Sequence, residues 1–373
     1  MFKIQNHNPK RGKIKIWVMP CYDTNPYSSL LVSGLQKCGL DIKCIEEIGV
    51  WVLPKLLLKG KKPQVLHLHW QHSFLLTRSK FRSMVKSTLF VLEILLLRML
   101  GVRTVWTVHN IHNHEQKFVP IEIFFGRILA KAAAGIIVHA ESAKEEAIKA
   151  FKIAKTGKIH VIHHGNYIDY YPNTITKQDA RKKLAVPGDK FVLLSVGIIR
   201  GYKGIKSLLQ RFIRWDRQDS LLILAGQPTS PGYEKELHRL VKSVENIRFY
   251  PYYIADDEIQ VFMKAADAVV LPYQRILTSG AVILAMSFAK PVITPSFPFM
   301  KEILNPGKNF LYDPADEEDL LKALDEAYTQ RQHLEEKGKY NFEQVKKDSW
   351  QRTSLKTKEI YLNPLSMINH KEK

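Results

Sequence analysis

The chain has 373 residues and a mass of 43.1 kDa, which at roughly 100–200 residues per domain predicts about two domains. Hydrophobic residues make up 45% and charged residues 25%, so a disordered chain, a collagen-like repeat and a polytopic membrane protein are excluded. The 56 lysines and arginines against 36 aspartates and glutamates give a net charge of +20. That excess indicates a polyanionic partner, such as nucleic acid, acidic lipid headgroups or the phosphates of a substrate.

The N-terminal segment is basic, and its apolar run at 14–19 is interrupted by a lysine and stopped by a proline. Because this run is shorter than a signal-peptide core, we expect the first strand there. The cysteines number three and form no CxxC pair, which argues against a disulfide framework and favours a reducing, cytoplasmic location. They are Cys21, Cys38 and Cys44.

Short β-branched runs alternate with longer helical segments along the first half of the chain. This alternation predicts strands that feed helices, as in a parallel α/β sheet. Helices are expected at Ser28–Cys38 and Ser142–Phe151, with Ser142 as the N-cap of the second. The predicted strands are Ile14–Met19, Ile42–Ile45, Val65–His69, Arg103–His109, Gly135–His139 and His160–His163.

A second alternating series follows a looser stretch at 165–190. Two such series predict an α/β protein of two doubly wound, Rossmann-like domains, at residues 1–173 and 174–348, followed by a terminal segment at 349–373. Ligands of such folds bind at the carboxyl ends of the strands, so the cleft between the domains is the expected site. The strands of the second series are Phe191–Val196, Ser220–Leu224, Ile247–Tyr250, Ala268–Leu271 and Pro291–Thr294.

The positive charge is concentrated in the first domain. Residues 1–173 hold 25 basic and 11 acidic residues, a net charge of +14, against 31 and 25 in the remainder. Residues 51–103 hold ten basic residues, one acid (Glu93) and the apolar stretch Met84–Leu100. One interpretation of that stretch is a buried helix. The other is a basic, apolar surface that docks on an anionic bilayer.

A glycine-rich segment, Gly197–Gly204, links strand Phe191–Val196 to an amphipathic helix predicted at Ile205–Phe212. Its glycines let the backbone approach a ligand, and the start of the helix offers free N–H donors. Arg200 and Lys203 add two cations, a combination that suits a diphosphate. A solvated basic turn is the alternative.

A second polar segment, Pro272–Gly280, follows strand Ala268–Leu271 and precedes a helix predicted at Ala281–Ala289. Three of its residues, Thr278, Ser279 and Gly280, lie where the helix begins. Their N–H and hydroxyl groups are suited to a phosphate or a sugar oxygen, and plain N-capping by Ser279 is the alternative.

These segments resemble the donor half of GT-B glycosyltransferases of the family 4-like group, and the likeness extends over nearly the whole chain. The chain is also similar to divergent bacterial exopolysaccharide glycosyltransferases of this fold. The matching residues are Gly197, Arg200, Lys203-Gly204, Ala266-Asp267, Pro272-Tyr273, Ala285-Met286 and Lys290-Pro291-Val292-Ile293, with Asn25-Pro26-Tyr27, Thr107-Val108-His109-Asn110, His163-His164-Gly165-Asn166 and Trp350 to Tyr361 outside the donor half.

The resemblance implies a hexosyltransferase of polysaccharide or glycoconjugate biosynthesis. Residues 174–348 would bind a UDP- or GDP-linked sugar, residues 1–173 a saccharide or lipid-linked saccharide acceptor, and the final helix would return to the first domain. Arg200 and Lys203 would offset the charge of the leaving diphosphate. Tyr273 belongs to the donor motif, and Tyr252 and Tyr253 would flank the base.

The chain departs from the family pattern at one place. Members of the group carry two glutamates eight positions apart, and the matching positions here hold Ile276 and Leu284. The glutamate that holds donor hydroxyls is therefore absent, so Ser279 and Gly280 would serve instead. Retention and inversion of the sugar both remain open.

Polar residues after the strand Arg103–His109 supply the catalytic candidates. His109 is expected to contact the transferred sugar or diphosphate, and an inverting transfer also needs a base, for which Asp23 and Glu115 are the candidates. The spacing of the nearby histidines does not fit a zinc site, so no metal cofactor is expected. His67 and His69 are interpreted as residues at the edge of the core.

The leading hypothesis is a cytoplasmic glycosyltransferase, peripheral at the inner face of the membrane. The alternatives are a nucleotide-sugar epimerase of GT-B-like fold, a lectin-like protein that binds the nucleotide without turnover, and a basic nucleic-acid-binding protein. The last has no zinc-finger spacing, RNP-like aromatic pattern or helix-turn-helix signal in its favour, so nucleic acid is not expected as a partner.

Overall fold

A computed structural model describes residues 14–60, 62–316 and 318–362. The chain divides into two compact units, of which the first comprises, within the described ranges, residues 14–139, 144–162 and 350–362, and the second residues 140–143 and 163–349. Each unit contains a parallel six-stranded sheet with helices, which confirms the predicted α/β class and the two doubly wound domains.

The first sheet has the strand order β2-β1-β3-β4-β5-β6, and its strands are short and largely buried. They are β1 (Lys15–Met19), β2 (Asp41–Cys44), β3 (Val65–Leu68), β4 (Arg103–Thr107), β5 (Gly135–Val138) and β6 (Ile159–Val161). The helices are α1 (Pro26–Lys37), α2 (Val52–Lys59), α3 (His72–Leu75), α4 (Lys80–Met99), α5 (Val119–Ala132), α6 (Glu141–Phe151) and α15 (Trp350–Leu362).

The second sheet has the order β12-β11-β10-β7-β8-β9, which is the Rossmann order with the first strand of the series in the middle. Its strands are β7 (Phe191–Val196), β8 (Ser220–Ala225), β9 (Ile247–Tyr250), β10 (Ala268–Val270), β11 (Val292–Pro295) and β12 (Phe310–Tyr312). Its helices are α7 (Lys177–Lys183), α8 (Ile205–Trp215), α9 (Pro231–Val241), α10 (Ile259–Ala265), α11 (Gly280–Ser287), α12 (Pro298–Ile303), α13 (Asp319–Thr329) and α14 (Leu334–Val345).

The terminal helix α15 packs on α1 in the first unit. A Cβ at Gly34 would lie 2.1 Å from Ser354 Oγ and 3.0 Å from Ser354 Cβ, so glycine at this position lets the two helices pack closely. Ile360 and Tyr361 are buried in the core of the first sheet. A segment almost 200 residues away in sequence from β6 thus completes this core.

Two local predictions are wrong. Ser142 is not the N-cap of α6, because the helix begins one residue earlier, at Glu141. Cys21 and Cys44 form a disulfide, although the cysteine pattern argued against one. The Cys21 N–H donates to the Ile45 carbonyl over 3.0 Å, and this bond beyond the paired ends of β1 and β2 holds Cys21 next to Cys44.

Helix α4 is apolar on two sides. Residues such as Phe90, Ile94 and Leu97 are buried, as one of the two interpretations of Met84–Leu100 predicts. A second set faces outward: Phe81 is 78%, Leu92 54% and Met99 80% exposed. Within the described ranges, no helix has the length and apolar character that crossing a membrane requires.

Candidate active site

The order of the second sheet reverses between β7 and β10, which are neighbours although many residues separate them in sequence. At such a reversal the loops that leave the two strands diverge and open a crevice at the carboxyl edge. The two segments predicted to bind the donor, Gly197–Gly204 and Pro272–Gly280, are the loops that follow these strands.

The first loop needs glycine at its start. Gly197 has φ +106°. A Cβ atom added to Gly226 would lie 2.1 Å from the Gly197 carbonyl oxygen. A Cβ at Gly197 itself would lie 3.5 Å from the Lys203 Nζ atom. The short 3-10 turn Gly201–Lys203, which Arg200 precedes, therefore folds the lysine ammonium back over the start of the loop.

The two loops touch. Gly204 has φ +70°, and a Cβ there would lie 1.9 Å from the Pro272 carbonyl oxygen. The Gln274 N–H donates to the Tyr202 carbonyl over 2.9 Å. The structure thus joins the two segments that the sequence predicts separately into one polar surface.

The electrostatics of this surface favour an anion. Burial, and secondarily the neighbouring Arg200 guanidinium, lower the pKa of Lys203 to about 8. Two cations held this close raise each other's free energy, and a bound diphosphate would relieve that repulsion.

The second loop is fixed by its own side chains. The Ser279 hydroxyl accepts from the Val282 N–H at 3.3 Å, which makes Ser279 the N-cap of α11. The Tyr273 hydroxyl lies 3.0 Å from Ser279 Oγ, and both residues are buried. In this geometry Tyr273 and Ser279 position the loop, while Thr278 and Gly280 are half-buried at its open side.

Two residues outside the predicted set lie beside Gly280. A Cβ on Gly280 would be 3.3 Å from the Tyr167 hydroxyl and 3.8 Å from His164 Nε2. The Tyr167 hydroxyl and His164 Nε2 are 3.4 Å apart. The resemblance included His164, but only the fold shows that this histidine and Tyr167 border the start of α11.

The remaining predicted donor residues differ in exposure. Tyr252 is 44% and Tyr253 58% exposed after β9, so both rings are accessible to a ligand. Leu284, at the position of a family glutamate, is buried within α11, and Ile276 is half-buried. Because the side chain at position 284 is only 8% exposed, a carboxylate there would be desolvated.

In the first unit, His109 lies two residues beyond β4 at the carboxyl edge of the sheet. Its Nε2 is 3.0 Å from His69 Nδ1, and its ring stacks on Trp70 with centroids 4.5 Å apart. Tyr27, from the start of α1, meets the same imidazole edge-on at 4.8 Å. His109 is 9% exposed, so only a small part of its surface is accessible to a ligand.

Another histidine, His67, is fully buried in the same unit. His67 Nε2 is 2.7 Å from Thr107 Oγ1, and its Nδ1 is 2.5 Å from the Tyr361 hydroxyl of α15. Burial lowers the pKa of His67 to about 3 and that of His69 well below its ordinary value. The neutral forms of His67 and His69 are therefore favoured, and their burial agrees with their assignment to the core.

The two candidate bases are exposed. Asp23 lies in the turn before α1, where its carbonyl accepts from the Ser29 hydroxyl at 2.9 Å, and Glu115 lies in the loop after β4. Glu122, which the sequence did not single out, holds that loop: its buried carboxylate accepts from the N–H and the side-chain amide of Asn113. Within the described ranges, no group of three or more metal-ligating side chains could hold a metal ion.

Comparison with known proteins gives the class. Residues 176–344 match the family model for glycosyl transferases group 1. Sucrose-phosphate synthase from Thermosynechococcus elongatus superposes with a TM-score of 0.77 at 17% identity, covering 95% of this chain and all of that one. Anabaena HepE in complex with UDP and glucose gives 0.72 at 14% identity over 93% and 99% of the two chains. The protein is a glycosyltransferase of the GT-B fold, with a group 1 domain in its second half.

A more specific likeness comes from sequence. The chain is 28% identical over 310 residues to the GDP-mannose:glycolipid 4-beta-D-mannosyltransferase of Xanthomonas campestris pv. campestris, covering 82% of this chain and 80% of that protein. A second protein described in the same words, from the same pathovar, is 27% identical over the same length. The likeness therefore includes much of the first unit, beyond the group 1 domain.

Proposed function

We propose that this protein transfers mannose from GDP-mannose to a glycolipid acceptor and forms a β linkage. The observation that carries the proposal is the contact between the two loops at the strand-order reversal, because it concentrates Arg200, Lys203 and the start of α11 on one surface. The likeness to the Xanthomonas mannosyltransferases supports the choice of donor and acceptor.

In this proposal the second unit stabilises the leaving group. The diphosphate lies against Gly197–Gly204, where Lys203 and Arg200 neutralise the charge that develops as the bond between the sugar and the phosphate breaks. Thr278 and Gly280 contact the sugar or the distal phosphate, and Tyr253 flanks the guanine base. The two protein cations make a metal ion unnecessary, so we expect transfer to persist in EDTA.

A β product from an α-linked donor requires inversion at the anomeric carbon. Inversion needs a single displacement, in which the acceptor hydroxyl attacks while a base accepts its proton. Asp23 and Glu115 are the proposed bases, and His109 is the proposed contact to the transferred sugar. Apolar residues at 276 and 284 are consistent with a sugar held differently from that of the enzymes with paired glutamates.

A glycolipid acceptor also requires access to a membrane. We assign that role to the docking surface, which we define as the exposed apolar residues of α4 and α2 together with Trp51, the N-cap of α2. Glu93 of α4 accepts from the Trp51 and Leu53 N–H groups and so holds the two helices together. The members of the surface are Trp51, Leu58, Phe81, Met84, Val85, Leu92, Leu95, Leu96 and Met99. A patch of this kind beside basic side chains suits an anionic bilayer.

The nucleotide is tested by thermal shift. GDP should raise the melting temperature, because it binds the folded state, whereas UDP, ADP and dTDP should leave it nearly unchanged. A response to another nucleotide and none to GDP would overturn the choice of donor.

The reaction is tested with labelled GDP-mannose and a membrane lipid extract. Label should enter a lipid-soluble product that β-mannosidase releases. A control with donor alone separates transfer from epimerisation, since an epimerase would change the sugar without any acceptor. Release by α-mannosidase instead would contradict inversion.

A further inference from the structure

The first unit contains a cavity of about 490 Å³ at the amino edge of its sheet, and His109 lies at the opposite, carboxyl edge. It lies where α4, α5 and α6 end, beside the segment that leads into the amino end of β6. Its lining residues are Arg98, Arg127, Ala130, Lys131, Phe151, Lys152, Ile153, Ala154, Lys155 and Lys158. Because His109 lies at the carboxyl edge, this cavity is separate from the candidate active site.

Six of the ten lining residues are cations, and none is acidic. Two of them are fixed by helix ends: Lys158 Nζ donates to the Ala133 carbonyl at 3.1 Å, and Arg127 Nε to the Ala150 carbonyl at 3.1 Å. Among the described residues, the other four cations make no salt bridge with an acid. Burial, and secondarily the charges of Arg98 and Lys155, lower the pKa of Lys158.

Basic residues at helix C-termini interact favourably with the helix dipole, so cations at three helix ends do not by themselves indicate a ligand. A second cavity with many cations serves as the comparison. A cavity of similar size in the second unit, about 480 Å³, also contains five cations. There, however, Lys177 pairs with Asp267 at 2.5 Å and Lys339 with Glu335 at 2.7 Å. That cavity supplies part of its own counter-charge, whereas no acidic residue lines the cavity of the first unit.

The walls and the position of the cavity indicate the kind of ligand. Phe151 and Ile153 form apolar wall beside the cations. Arg98 belongs to α4 and is followed directly by Met99 of the docking surface, which is 80% exposed. Cations next to an apolar surface match an amphiphile with a phosphate head and an acyl tail.

We propose that this cavity binds the phosphate of an anionic phospholipid headgroup while the docking surface contacts the acyl region of the bilayer. The inference rests on the membrane part of the proposed function and adds a defined lipid site to it. It is independent of which nucleotide sugar the second unit binds.

The test uses the full chain with Lys131→Glu and Lys155→Glu combined, since both side chains are exposed and their change should leave the fold intact. The matched control combines Lys235→Glu and Lys242→Glu, two exposed lysines of the second unit, so that the net charge changes equally. Co-sedimentation is measured with vesicles of phosphatidylcholine, with and without phosphatidylglycerol. The GDP-induced thermal shift of every variant reports separately on the donor site.

We expect the cavity variant to lose at least about tenfold in affinity for phosphatidylglycerol vesicles, since each basic residue near the surface contributes substantially, and the control to bind like the wild type. Equal losses in both variants, or none in either, would overturn the proposal. If inorganic phosphate stabilises the wild type but not the cavity variant while vesicle binding is equal, the ligand is a free anion and the lipid assignment is wrong. Absence of a GDP response in the wild type would contradict the donor proposal alone.

Discussion

His69 Nδ1 and His109 Nε2 lie 3.0 Å apart at the carboxyl edge of the first sheet. Of the two imidazoles, His69 is buried and its neutral form is favoured, while His109 keeps a small exposed area. A neutral, enclosed histidine that bonds to another fixes the orientation of that ring. His69 is therefore a positioning residue for the proposed sugar contact of His109.

Replacing His69 by Phe should keep the ring volume and remove the hydrogen bond. We expect kcat to fall about five- to tenfold, the effect of one lost hydrogen bond, while the Kd for GDP stays unchanged. His69→Asn, whose side chain can retain a hydrogen-bonding atom near the Nδ1 position, should recover most of the rate. If Phe and Asn have the same kcat, the hydrogen bond has no positioning role. Steady-state kinetics with saturating donor measures the effect.

Acid should destabilise the protein through His67. Its pKa is about 3 in the folded state, below that of an unfolded histidine, so the unfolded state binds the proton more readily. The stabilisation is therefore present above pH ~6.5 and is lost as the pH falls towards 3, by up to about 1.4 kcal/mol per pH unit. Urea unfolding between pH 7 and pH 5 should show this slope, and His67→Gln should make it shallower. An unchanged slope in His67→Gln would contradict the assignment.

Affinity for GDP should depend on pH through Lys203. With its pKa at about 8 in the free protein, the ammonium loses its proton between pH 7 and pH 9, so GDP should bind more weakly as the pH rises. Lys203→Ala should abolish this dependence and reduce kcat/KM about 10²-fold or more. Lys206→Ala is the control, because Lys206 is exposed and pairs with Glu236 at 2.5 Å. Calorimetric titration with GDP at each pH checks this, and near-normal kcat/KM in Lys203→Ala would refute the donor site.

Gly204→Ala should separate the two donor loops. The new Cβ would meet the Pro272 carbonyl and would also force alanine into a left-handed conformation, so we expect a loss of about 2–4 kcal/mol and a raised KM for the donor. Gly201→Ala is the matched control in the same loop, since its Cβ would meet no atom within 4 Å. Urea denaturation compares the two, and equal stability would mean that the loops are not in contact.

Introducing a glutamate at each of the two positions where the family carries one should change the stability of the protein by different amounts. Leu284→Glu places a carboxylate at a buried position of α11 and should lower the free energy of unfolding by about 2–4 kcal/mol. Ile276 is half-buried, so Ile276→Glu should lower it by less than about 1 kcal/mol. Leu284→Met serves as the control for the change of shape. Melting temperatures decide between them, and a stable Leu284→Glu would mean that the site retains room for the family glutamate.

Local patterns in the sequence were sufficient for much of the fold. Strands Phe191–Val196 and Ile247–Tyr250 have the predicted bounds, because each is a buried run bordered by clear turn residues. Strand Phe310–Tyr312 was missed, since three residues give too short a signal. From sequence Ser279 suits both a ligand contact and an N-cap, and the structure shows the N-cap geometry.

By itself, the sequence determined the two sheets and the two polar loops, since these depend on residue spacing along the chain, and its resemblance to a known family indicated the class. The tertiary structure alone decided which residues meet: Gly204 with Pro272, Cys21 with Cys44, and His67 with Tyr361 across 294 positions. The physical reason is that parallel strands bring their ends together through long crossovers, so contacts at a sheet edge are set by strand order and leave no mark in local sequence.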